Sequence, residues 1–143
     1  MQLINVKDNI EELSTVMDMI YDEWGAGFSC TKEEKLSKIK TALLAGGKFP
    51  QVYILKDQDK VIGSFTFLDR ELEGSTLSPW LACVVINKNL RGKGYGSILL
   101  KHIKNTIEQN FDQIYLTTKM TGFYENGRSH IWLWIKKFPM RKI

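Results

Sequence analysis

The chemistry of this chain concentrates in Arg91-Gly92-Lys93-Gly94-Tyr95-Gly96. This loop stands between an apolar run, Val84-Val85-Ile86, and a segment opening at Ser97-Ile98-Leu99-Leu100. Glycine lets the backbone take φ > 0 and lets a ligand approach the main chain closely. A helix starting straight after such a loop offers N–H groups without intrahelical partners and a partial positive charge. The chemistry implied is anion capture, and the anion it suits is a phosphate or pyrophosphate.

Spacing separates the known phosphate loops. A P-loop needs four residues between its first glycine and a Gly-Lys-Ser/Thr end, which does not occur here. A dinucleotide loop needs a glycine three residues after its second; here that position, counted from Gly94, is Ser97. What remains is Arg91-x-x-Gly94-x-Gly96 after an apolar strand, with Gly122-Phe123-Tyr124-Glu125 downstream. This combination, from about Ser78 to Glu125, resembles the GNAT N-acetyltransferase superfamily and its acetyl-CoA pyrophosphate loop.

The resemblance implies an α/β GNAT acyl-CoA-binding fold: a central mixed sheet with flanking helices, splayed fourth and fifth strands and, here, a shortened C-terminal hairpin. It implies that backbone groups of Val84, Val85 and Ile86 pair with the pantetheine arm of acetyl-CoA. The N–H groups of Arg91, Gly92, Lys93, Gly94, Tyr95 and Gly96 would then wrap the pyrophosphate. Tyr124 is the residue expected to protonate or hydrogen-bond the departing thiolate, since a phenol with an ordinary pKa of about 10 stays protonated at neutral pH. The developing oxyanion needs a fixed N–H donor, which a strand edge opened by the splay can give. Family members often carry a glutamate on the fourth strand as general base; here Trp80 stands at that position. Asp22, Glu23, Asp69 and Glu71 are the carboxylates near the expected acceptor cleft. Glu23 and Trp24 are the expected acceptor wall, because a carboxylate beside an aromatic face suits a cationic amine.

These residues need elements to position them, and the hydrophobic period changes along the chain as that requires. Leu3-Ile4-Asn5-Val6 reads as a strand. Asn9 with Glu12 offers a capping box for a helix whose inward stripe is Ile10, Leu13, Met17, Ile20 and Trp24, ending at Gly25-Ala26-Gly27. Thr31 with Glu34 repeats the device for a second helix carrying Leu36, Ile39, Leu43 and Leu44, which stops at Gly46-Gly47. A β-hairpin follows, Val52–Leu55 and Val61–Leu68 about a turn at Lys56–Lys60. Trp80–Ile86 is the strand entering the glycine loop. A third helix, about Gly96 to Gln109, turns Leu99, Ile103 and Ile107 inward. Ile114–Thr117 is a strand, Phe123-Tyr124 a brief helix and Ile131–Ile135 a closing strand. The order β-α-α-β-β-β-α-β-α-β is the one the resemblance implies.

With 143 residues and no disulfide framework, the chain suits one domain, residues 1–143, with an atypical tail at 128–143. That tail holds Arg128, Lys136, Lys137, Arg141 and Lys142 and no carboxylate. Against an overall charge of +4 the rest of the chain is near −1, so the basic balance belongs to the tail and no nucleic-acid face is expected. No apolar run approaches a membrane span, and the start lacks the pattern of a signal peptide, so a cytoplasmic location is expected. Cys30 and Cys83 lack histidines at metal-ligand spacing; no metal is expected, and Cys83 reads as a buried small hydrophobe. After Tyr124-Glu125 the chain is shorter than the family pattern. The apolar run Ile131-Trp132-Leu133-Trp134-Ile135 is expected to pair at a sheet edge and form a homodimer. Two functions follow: acetyl transfer from acetyl-CoA to a primary amine of a small molecule or peptide within a ternary complex, or a non-catalytic acyl-CoA-binding or partner-docking module.

Overall fold

The computed structural model describes residues 1–70, 75–118, 130–135 and 141–142. The strands are β1 (Gln2–Asn5), β2 (Gln51–Asp57), β3 (Lys60–Leu68), β4 (Trp80–Ile86), β5 (Gln113–Thr118), β6 (His130–Ile135) and β7 (Arg141–Lys142). The helices are α1 (Leu13–Trp24), α2 (Lys32–Leu44) and α3 (Tyr95–Asn110). The strands form one sheet in chain order, antiparallel throughout except for the parallel β4–β5 pair. This is the mixed α/β arrangement the sequence led us to expect.

Alternation along the strands gives each face of the sheet its own core. On one face α1 and α2 cover Val52, Ile54 and Val85 with Val16, Met17, Ile20 and Leu43. On the other, Leu55, Ile62, Phe65 and Phe67 meet the α3 stripe Leu99, Ile103 and Ile107. That stripe is the expected one, and Thr31 caps α2 as expected, its Oγ1 accepting from the Glu34 N–H at 3.1 Å.

Several local expectations are corrected. The Asn9–Glu12 capping box does not form: a 3₁₀ turn spans Ile10–Glu12 and α1 starts at Leu13. The Asn9 N–H already donates to the Val6 carbonyl at 3.0 Å, and Lys56 Nζ donates to the Glu12 carboxylate at 2.8 Å. The hairpin turn is tighter than expected, Gln58-Asp59, with Gln58 at φ +55°. Leu44 is exposed rather than inward, because α2 buries only Leu43 fully. Trp24 is 39 % exposed and lies outside the core stripe. β6 is not the outermost described strand: it pairs with β5 on one side and, at Trp132 and Leu133, with β7 on the other, so among the described residues the outer edge belongs to β7.

Candidate functional site

The site is built around the way β4 parts from both of its neighbours. Its parallel pairing with β5 runs only through Trp80↔Tyr115 and Leu81↔Leu116; among the described residues Ala82–Ile86 have no β5 partner. On the β3 side, Ser64 pairs with Val85 but Thr66 pairs with Ala82, so Phe65 faces two residues, Cys83 and Val84. This β-bulge places Cys83 at φ +54°, where a side chain other than glycine's is strained. Cys83 therefore packs against the α1-side core as a small apolar group, as expected, but at a kink that leaves it half-buried rather than buried. Gly63 allows the strands to approach here, since a Cβ on it would stand 2.6 Å from the Val85 carbonyl oxygen.

Val84 is 41 % exposed, Val85 is buried among the α1 residues, and Ile86 is half-buried. Asn87 then turns the chain. Its N–H donates to the Ile62 carbonyl (2.8 Å) and its Nδ2 to the Val61 carbonyl (3.2 Å), while its Oδ1 accepts from the Asn89 N–H (3.1 Å). The loop runs from here into α3. Gly92 and Gly94 lie at φ +77° and +85°, the left-handed conformations that glycine adopts without strain. Gly94 is the N-cap of α3 and gives it no side-chain cap, and no acidic residue stands in the first turn. The N–H groups at Tyr95, Gly96 and Ser97 thus open the helix without a carboxylate to take them. Among the described residues beyond its own chain neighbours and helix backbone, a Cβ at Gly92, Gly94 or Gly96 would meet no atom within 4 Å. Lys93 is exposed, and Tyr95 packs against the α3-side core.

Arg91 is tied down. Its Nη2 meets Glu23 Oε2 at 2.6 Å and its Nε donates to the Ile86 carbonyl at 3.3 Å. Sequence reading separated these two residues into cofactor loop and acceptor wall; the structure joins them. Asp22 pairs with Lys88 at 3.6 Å, one turn of loop away.

A cavity of about 760 Å³ lies between α1, α2 and the sheet. Met17, Ile20, Ile39, Phe49 and Leu68 form apolar walls, and Cys83 brings the β4 bulge to its lining. Neither Glu23 nor Trp24 lines it. Its charged residues come from α2 (Glu34, Lys35, Lys38) and from the end of β3 (Asp69, Arg70). Asp69 accepts a hydrogen bond from Ser78 Oγ at 2.8 Å. Tyr21 closes the turn between α1 and α2, its hydroxyl 3.0 Å from the Cys30 carbonyl and 3.1 Å from that of Thr31. Desolvation, then the Cys30 thiol, push its phenol up to about 12, so the hydroxyl stays protonated and serves as a clamp on the turn between α1 and α2. Trp80 is fully buried with its Nε1 donating to the Leu77 carbonyl at 2.6 Å, so this position on β4 offers no titratable group. Tyr124 and Glu71 lie outside the described residues.

Several residues here gave no sequence signal: Gly63 and Cys83 act through φ and approach distance, and Thr66 through its burial in the cavity lining. Asn87 alone carried a readable cue, an Asx residue where a strand ends.

Comparisons place this geometry among known proteins. The family model of an acetyltransferase (GNAT) domain matches residues 48–127. A possible acetyltransferase from Clostridium difficile 630 superposes with a TM-score of 0.64 at 19% identity, covering 85% of this chain and 81% of that one. An aminoglycoside 6'-N-acetyltransferase solved with coenzyme A gives a TM-score of 0.59 at 16% identity, over 88% of this chain and 71% of that one. At such identities the likeness is one of fold. No curated protein matches the chain in sequence.

Proposed function

The chain belongs to the GNAT acetyltransferase family, and we propose on that footing that it transfers an acetyl group from acetyl-CoA to a primary amine of a small molecule or peptide. The observation that carries the reading is the continuity of a strand edge, Ala82–Ile86, that has no β5 partner among the described residues, with a glycine-opened helix N-terminus at Gly94 that no side chain caps. An extended amide-bearing arm ending in a pyrophosphate matches that sequence of donors: strand-edge groups first, helix N–H groups after. We assign the arm to the main chain of Val84, Val85 and Ile86, and the pyrophosphate to Arg91 through Gly96. With Arg91 held by Glu23, the loop attracts phosphate chiefly through backbone N–H groups and Lys93.

The acceptor enters from the cavity, whose lining meets β4 at the bulge. Its amine nitrogen attacks the thioester carbonyl while both substrates are bound. The carbonyl oxygen gains charge and is met by a main-chain N–H of the opened β4 edge. The C–S bond breaks, the thiolate takes a proton from the Tyr124 hydroxyl, and the amine proton leaves to solvent or to a carboxylate of the cavity. The Tyr124 phenolate regains a proton from solvent before the next turnover. Of the described carboxylates considered from sequence, Asp22, Glu23 and Asp69, it is Asp69 that lines the cavity.

Calorimetric titration with acetyl-CoA, NAD and ATP tests the cofactor half of this reading. Selective binding of acetyl-CoA is expected, and equal affinity for NAD or ATP contradicts it.

A further inference from the structure

We infer that the acceptor is an amine that also carries a carboxylate and an apolar body, an amino acid with an aliphatic or aromatic side chain, rather than a polycationic amine. The inference rests on the acetyltransferase reading and deepens it. Three features of the cavity carry it.

The first is the charge left over in the lining. Among the described residues, Lys35, Lys38 and Arg70 face it against two carboxylates, Glu34 and Asp69. Among the described residues the ion pairs are Lys32–Asp18, Lys56–Glu12, Lys88–Asp22 and Arg91–Glu23, and none engages a cavity cation. Lys35 Nζ sits 4.0 Å above the Phe28 ring centre and Arg70 donates to the Ser75 carbonyl at 2.9 Å. Lys38 has neither contact nor ion pair among the described residues. Asp69 accepts one hydrogen bond, from Ser78 Oγ. The balance among the described lining residues is one positive charge, which favours a carboxylate over a polycation, and the exposed Lys38 is the cation open to it.

The second is Thr66. It is 6 % exposed, lines the cavity, and its hydroxyl is hydrogen-bonded to no described residue. A buried hydroxyl is ordinarily satisfied, so one that faces a cavity with no partner among the described residues is open to water or to a polar group of a ligand. Thr66 pairs in register with Ala82, beside the bulge. Its hydroxyl can therefore hold the acceptor nitrogen at the end where β4 opens, with the carboxylate directed toward Lys38 on α2.

The third is the wall itself. Met17, Ile20, Ile39, Phe49 and Leu68 suit an aliphatic or aromatic side chain and offer nothing to the hydroxyls of an aminosugar.

Matched amines differing only in the carboxylate test this: phenylalanine against phenethylamine, leucine against isoamylamine, with kanamycin as the polycation, all at saturating acetyl-CoA. CoA release should show kcat/KM about tenfold or more higher for the member with the carboxylate, the scale of one charge-assisted contact. Lys38→Ala should bring that ratio to within about threefold of one by raising KM for the amino acid rather than lowering kcat. Thr66→Val, which keeps the side-chain volume, should weaken both members of a pair alike. A ratio near one in the unaltered protein, or a preference for kanamycin, overturns the inference while leaving acetyl transfer standing. Release with none of the five amines overturns both.

Discussion

The Arg91 guanidinium and the Glu23 carboxylate meet at 2.6 Å across 68 positions of sequence, locking the loop that precedes α3 to the last turn of α1. The same guanidinium donates to the Ile86 carbonyl, so one side chain joins the end of β4, the loop and α1. Both partners are substantially exposed, 46% and 37%, where such a pair contributes about 1 kcal/mol or less. Its effect is on loop position and on the charge available to a phosphate more than on stability.

Glu23→Gln is therefore expected to leave the melting temperature nearly unchanged while freeing Arg91. Acetyl-CoA affinity should rise a fewfold at low salt, and the gain should shrink as salt screens the loop. Titrations at two ionic strengths check this. A loss of affinity in the variant would mean that the pair holds the loop in its binding conformation and that loop position outweighs charge.

Gly94→Val should abolish measurable acetyl-CoA binding and cost about 1–3 kcal/mol of stability, because φ +85° is strained for any branched side chain. Among the described residues beyond its chain neighbours the Cβ meets no atom within 4 Å, so the fold has no steric reason to fail. Calorimetry on a variant shown folded by circular dichroism separates the two effects. Unchanged affinity would remove the loop from the phosphate site.

What sequence could supply here was local. The Arg91–Gly96 loop, the Leu99, Ile103 and Ile107 stripe and the Thr31 cap are each written within a few residues, and each stands where its pattern put it. The Asn9–Glu12 cap was also a local pattern. It failed because Lys56, 44 positions on, draws Glu12 away. Glu23 was readable as a carboxylate near a cleft, but its partner was not, since no period links α1 to the loop before α3. The acceptor cavity suffers the same limit: Lys38 on α2, Thr66 on β3 and Cys83 on β4 converge only after the sheet forms. Gly63 and Cys83 carry no cue at all, one acting by its missing Cβ and the other by an unusual φ.

Gly63→Ala should destabilise the protein by about 1–3 kcal/mol, as overpacking of a buried position does. Its Cβ would stand 2.6 Å from the Val85 oxygen, 3.1 Å from Ile86 Cδ1 and 3.2 Å from Leu99 Cδ2, so β4 must shift. Because β4 presents the arm-binding edge, KM for acetyl-CoA should rise as well. Denaturant unfolding together with initial rates reads both. A variant as stable as the parent would show that β4 moves freely against β3.

Tyr124→Phe should lower kcat by about 10²-fold, the low end for general acid catalysis, since a CoA thiol with a pKa near the cysteine value is already a fair leaving group. Affinity for acetyl-CoA should hold. The measurement needs conditions in which chemistry limits the rate. A variant with the parent's kcat there would take Tyr124 out of the mechanism.

The central claim, that this chain moves an acetyl group and does not merely hold acyl-CoA, is tested most directly by mass spectrometry of one reaction mixture. Protein, acetyl-CoA and an amine are incubated, and free CoA and N-acetylated amine are quantified together. The account predicts equal molar amounts of the two, rising in step with time and absent without the protein. Acetyl-CoA that binds but yields neither product with any primary amine, or CoA released with no acetylated amine, would contradict it.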